Sequence, residues 1–158
     1  MRRQSVALLI ETSNGYSRGL LEGVIAFTTE CGDWSVHLTE QERGAAPPAW
    51  PKTWRGGGLI AGDETAAIGR QLTRIGVPLV DLSAAQHIKG VPWADTQDRA
   101  IAELAVQHFA ERGFRHLAYC GDAGFEWSNK RCRHFEQLAR EAGCEFYEHH
   151  ATARYDAD

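Results

Sequence analysis

Residues 6–24 read VALLIETSNGYSRGLLEGV, and two periodicities meet in them. Val6–Ile10 is a continuous apolar run, the composition of a strand covered on both faces, as in a parallel sheet. From Ser17 to Glu30 the apolar residues Leu20, Leu21, Val24, Ile25 and Phe27 recur at helical spacing until Cys31-Gly32 stops them. Between strand and helix lies a short polar loop, Thr12–Tyr16. Strand, loop and helix in that order open a βαβ unit.

The rest of the chain repeats this alternation. Trp34–Thr39 alternates as a second strand, and Glu40–Pro51 is a polar, proline-rich loop with a short helix near it. Gly57–Ala61 and Val77–Leu82 read as the third and fourth strands, separated by a helix over Glu64–Ile75. Val91–Ala94 is a short fifth strand. Gln97–Arg112 sets Ile101, Leu104, Ala105, His108 and Phe109 on one helical face, and Gly113 ends it. His116–Cys120 is a strand, Asn129–Ala142 a helix, and Glu145–Tyr147 the start of another strand. Such alternation predicts an α/β fold with a doubly wound, mostly parallel sheet. Ligands of such sheets sit beyond the carboxyl ends of the strands. Here those ends are Glu11–Tyr16, Gly62–Asp63, Asp95–Thr96 and Gly121–Ser128.

Composition narrows the function. The 158 residues carry a net charge of −4 and little lysine, which excludes a nucleic-acid grip by this stretch. The four cysteines form no CxxC pair, so buried, reduced thiols are expected rather than a metal site or disulfides. Val6–Ile10 is too short for a signal peptide's apolar core or a membrane span, which implies a cytoplasmic protein without membrane contact. Neither GxGxxG nor GxxxxGK[ST] is present to cradle a phosphate, and no GxSxG, HExxH or paired Cys–His signature points to an enzyme. No cofactor or metal is expected.

Four places carry candidate chemistry. In the first loop, Ser13, Asn14 and Tyr16 combine hydroxyls, an amide and a flat ring, a mixture suited to a neutral polyhydroxylated ligand. The same residues also suit a loop whose Ser or Asn only caps the helix. In the stretch after Gly121, Arg131 offers a rigid donor fork and Trp127, placed in a loop just before it, a stacking face. A solvated Arg and an anchoring Trp read equally well. Asp63 and Asp95 follow the third and fifth strands, where a carboxylate either accepts from sugar hydroxyls or caps the next helix. His149-His150 reads as surface.

The stretches YSRGLLEGV (16–24), GGLIA (57–61) with Asp63, VPLV (77–80), Ala94-Asp95, GFRHLAY (113–119) and WSNKRCRHF (127–135) together resemble the sensing region of lactose/galactose-repressor-type bacterial regulators. Within these, the resemblance is to regulators of xylose operons, which join such a sensor to a C-terminal arabinose-regulator-type helix-turn-helix domain. It spans nearly the whole chain, and its most specific part is a Trp four residues before, and an aromatic four residues after, Arg131.

The resemblance implies a type I periplasmic-binding-protein fold, with residues 1–94 as the N-terminal lobe and 95–158 as the truncated start of the second. It implies a sugar effector, a xylose-like aldose by comparison, and contact with DNA only through a domain outside this chain. The apolar faces of helices 97–112 and 130–142, left without the partners a complete second lobe would supply, point to a homodimer. Ser13, Asn14, Tyr16, Asp63, Asp95, Trp127 and Arg131 are then the expected sugar-binding residues. A binding protein of a sugar uptake system would share the fold.

Overall fold

The computed structural model describes residues 3–38, 53–62, 66–83 and 89–150. The chain divides into two compact units, Met1–Asp95 and Thr96–Asp158.

The first unit is built on β1 (Gln4–Leu9), α1 (Gly15–Cys31), β2 (Trp34–Leu38), β3 (Gly58–Ala61), α2 (Ala66–Thr73) and β4 (Leu79–Asp81). The strands form one parallel sheet in the order β2-β1-β3-β4. The continuous apolar run of the first strand has a direct explanation. Ala7 and Leu9 enter a core with Leu59, Ala61, Leu79 and the α2 residues Ile68 and Leu72. Val6, Leu8 and Ile10 enter a second core, against Leu21 and Val24 of α1. Successive side chains of a strand point to opposite faces, so a strand sandwiched between two cores cannot alternate with polar residues. Helix α1 ends where Gly32 takes a left-handed conformation (φ 68°) and donates its N–H to Thr28 O at 2.9 Å.

Two expectations need correction here. The strand expected over Val91–Ala94 is reduced to a single parallel bridge, Asp81 to Trp93. It is held by Asp81 N–H to Pro92 O (2.9 Å) and Ala94 N–H to Asp81 O (3.0 Å). Pro92 has no N–H to give a ladder, which confines the segment to the sheet edge. The thiols also divide: Cys132 and Cys144 are buried, but Cys31 and Cys120 are exposed. The loop expected over Glu40–Pro51 lies outside the described residues.

The second unit holds α3 (Asp98–Glu111), β5 (His116–Gly121), α4 (Glu126–Glu141) and β6 (Glu145–His150). Strands β5 and β6 pair in parallel, His116 opposite Glu145 and Cys120 opposite His149. One face of this pair is covered: Leu117 packs with Ala102 and Val106 of α3 and with Phe135, Leu138 and Ala139 of α4. The outward residues His116, Ala118 and Cys120 are exposed.

Helix α4 begins at Glu126 rather than Asn129, behind an extended Phe125 (φ −117°, ψ 127°) that makes no side-chain cap. Trp127 therefore belongs to the first turn of the helix and not to a loop. Nothing at Phe125 resembles the Ser, Thr, Asp or Asn that usually marks a helix start.

Candidate functional site

Each unit places polar side chains at the carboxyl ends of its strands. In the first unit the loop after β1 is tied down locally. Asn14 is extended (φ −109°, ψ 161°), and its side-chain oxygen accepts the Ser17 N–H at 2.8 Å. This is the helix cap that the sequence left open as an alternative. It occupies the amide oxygen and leaves the NH2 group to be satisfied from outside the helix. Ser13 donates its hydroxyl to the Glu11 carboxylate, and its carbonyl accepts from Arg18 Nη1 at 3.0 Å. Tyr16, in the first turn of α1, is 49% exposed. Asp95 is half-buried beyond the Trp93 bridge, and Asp63 lies outside the described residues.

Asp81 and Ser83 add a pair that no local sequence pattern marks. Both are buried at the end of β4, where an Asp81 carboxylate oxygen accepts the Ser83 N–H at 2.7 Å.

The second unit holds the more developed arrangement. Arg131 Nε donates to Asp98 Oδ1 at 2.8 Å, and Nη2 donates to Thr96 Oγ1 at 3.0 Å. The Thr96 hydroxyl in turn donates to Asp98 Oδ1 at 3.3 Å, closing a ring of three side chains. The guanidinium carbon lies 5.1 Å from the centre of the Trp127 ring, within cation–π range. Asp98 is only 6% exposed, while the Arg131 side chain is 27% exposed. Among the described residues Nη1 makes no hydrogen bond. The Nη1 N–H groups, oriented by the Nε and Nη2 bonds, can donate to a hydroxyl of a polyhydroxylated ligand, and an aromatic face beside them can stack against its C–H face.

The surrounding backbone is held by Ser128, which is 2% exposed. Its hydroxyl accepts the Asp122 N–H at 3.0 Å, and its carbonyl accepts the Tyr119 hydroxyl at 3.1 Å. Gly121 sits beneath this clip: a Cβ there would come within 2.6 Å of the Tyr119 ring and 2.9 Å of Ser128 Oγ.

Asp98 and Thr96 were missed as partners of Arg131, although the sequence held a signal for the first. Asp98 heads the buried stripe Asp98, Ala102, Val106 of α3. An acid at the head of an apolar stripe needs a buried partner. Arg131, four residues before the buried Phe135 of α4, supplies it. The structure brings Asp98 to Arg131.

His149 is exposed as expected, but His150 is half-buried, with Nε2 2.8 Å from the Glu148 carboxylate. That carboxylate also accepts from the Cys132 thiol at 2.9 Å. Burial, together with the hydrogen bond to Glu148, pushes the Cys132 thiol up to about 12. It is a hydrogen-bond donor and not a nucleophile. Among the described residues no group of His, Cys, Asp and Glu has the arrangement to hold a metal ion, and no helix is long and apolar enough to cross a membrane.

No family model and no curated protein matches the chain. Solved structures do. A xylose-binding transcription activator, XylR, superposes with TM-score 0.81 at 23% identity, over 100% of this chain and 41% of its own. A LacI transcriptional regulator from a Rhodococcus species follows at 0.79 and 20%, over 94% of this chain and 57% of its own. A solute-binding protein of an ABC transporter from Burkholderia multivorans gives 0.77 at 9%, over 95% of this chain and 61% of its own. At these identities the likeness is one of fold. The chain thus has the type I periplasmic-binding-protein-like fold, and it spans about half the length of the solved structures it matches.

Proposed function

We propose that the chain is part of the effector-sensing region of a bacterial transcription regulator, and that its effector is a xylose-like aldose. The observation that carries this reading is the Arg131 fork, oriented by Asp98 and Thr96 and set over the Trp127 ring. It is a binding arrangement, and in this reading the region binds a ligand rather than catalysing a reaction. The fold shared with XylR and the LacI regulator supports the regulatory context. In this reading the protein works in the cytoplasm as a homodimer and contacts DNA through a domain beyond these residues. Sugar binding changes DNA affinity because the effector binds one conformation better than another.

Calorimetric titration of the full-length protein with a panel of aldoses tests the proposal: a saturable heat with xylose or a close relative supports it, and heat with no aldose sinks it. The likeness to the solute-binding protein keeps an uptake role as the second reading. An operator-binding assay separates the two, since only a regulator shifts its DNA affinity when the sugar is added.

A further inference from the structure

The Arg131 guanidinium is not a lone cation. Its Nε lies 2.8 Å from the carboxylate of Asp98, whose side chain is 6% exposed, so the pair as a whole carries no net charge where a ligand would meet it. We propose that Asp98 sets the charge class of molecule that Arg131 accepts, admitting uncharged polyhydroxylated ligands and turning away phosphates and carboxylates. The inference rests on the sensing role proposed above and adds a specificity residue to it.

Charge decides what the Nη1 edge of the fork accepts. A hydroxyl oxygen can accept from Nη1 without bringing charge into a partly desolvated place. An anion approaching the same edge must shed its water and then share one cation with a carboxylate already bound to it. Thr96 reinforces the arrangement, because its hydroxyl accepts from Nη2 and donates to Asp98, keeping that carboxylate turned toward the guanidinium. Trp127 fills the remaining side of the cation with an apolar face. Without the negative charge of Asp98 the same donors would form an ordinary anion site, since an Arg fork matches phosphate and carboxylate geometry.

Inorganic phosphate is the probe, read by the Arg131 Nε–H resonance in the full-length protein. Wild type should show no saturable shift. Asp98→Asn, which keeps the shape and removes the charge, should bind phosphate about tenfold or more tighter, and Arg131→Gln added to it should abolish the gain. Matched titrations of wild type with D-glucose and D-glucuronate add an arm that needs no variant, and the uncharged sugar should bind at least as well as the acid. Saturable phosphate binding at Arg131 in wild type overturns the proposal. So does a folded Asp98→Asn protein as indifferent to phosphate as wild type, or a wild type that prefers glucuronate. A wild type that takes no aldose at all removes the sensing role, while the phosphate arms still decide the part played by Asp98.

Discussion

Arg131 and Asp98 lie 33 positions apart in the chain and 2.8 Å apart in space, and the acid is far more deeply buried than the base, 6% against 27% exposed. The two ends of the pair therefore differ in what they lose when the other is removed. Deprived of Asp98, the arginine can turn its guanidinium toward water. Asp98, deprived of Arg131, has no such exit. Arg131→Ala should destabilise the protein by about 3 kcal/mol and Asp98→Ala by about 1.5, the difference being the cost of a stranded carboxylate. Urea midpoints at neutral pH check the order, and equal losses would refute it.

Ligand binding at Arg131 is better tested without deleting its charge. Arg131→Lys keeps the cation but loses the planar fork. It should weaken aldose binding by about tenfold, the worth of one charge-assisted contact. Arg140→Lys is the control, an exposed pair with Glu136 on the same helix. Calorimetry on both variants decides whether the fork or merely a positive charge matters.

Asn14 carries two roles that substitution can separate. Asn14→Ala removes the cap on Ser17 and should cost about 1 kcal/mol of stability. Asn14→Ser restores a capping oxygen but not the amide NH2. If the amide meets the sugar, Asn14→Ser should fold as wild type does and bind several-fold more weakly. Full affinity in that variant would leave Asn14 a cap and nothing more.

The Cys132 thiol predicts a pH dependence. Its ordinary value of 9.0 is raised to about 12 in the folded protein. The folded state thus holds its proton more tightly than the unfolded state. The resulting stability is fully present below pH 9 and is lost as pH rises through 12. Thiol reagents should label Cys31 and Cys120 in the native protein at pH 8 and leave Cys132 unmodified. Glu148→Gln should lower the pH at which Cys132 begins to react; no change in the onset would remove Glu148 from the explanation.

Gly121→Ala should destabilise by about 2 kcal/mol, because the added carbon drives against Tyr119 and Ser128, which cannot part without releasing the Asp122 N–H. Thermal unfolding measures this. Combining it with Tyr119→Ala should recover part of the loss if the clash with the ring is its cause.

What the sequence disclosed and what it hid follow the range of the interactions. Strand β1 and helix α1 were legible because an apolar run and a helical spacing are local patterns, and Gly32 marks the stop. The start of α4 was not, because Phe125 opens the helix without a capping side chain, and so the local pattern places Trp127 in a loop. The strand expected over Val91–Ala94 is only a single bridge, because Pro92 lacks the donor that a ladder needs. The setting of Arg131 was out of reach of any local pattern: Asp98 lies on another helix, and only the acid at the head of an apolar stripe hinted that a partner was required. Asp81 and Ser83 were hidden for the same reason, since their burial depends on strands far away in the chain.

Strand β1, buried on both faces, raises a last point about how its alignment is encoded. In a strand with one wet face, a slip by one residue exposes apolar groups, and polarity alone forbids it. For β1 that safeguard is absent, because Ala7 and Leu9 enter one core and Val6, Leu8 and Ile10 the other. A slip would exchange apolar for apolar, but it would press a leucine into the space that Ala7 fills at 0% exposure. The alignment of the central strand is thus written in side-chain volume, and its most sensitive letter is the smallest one.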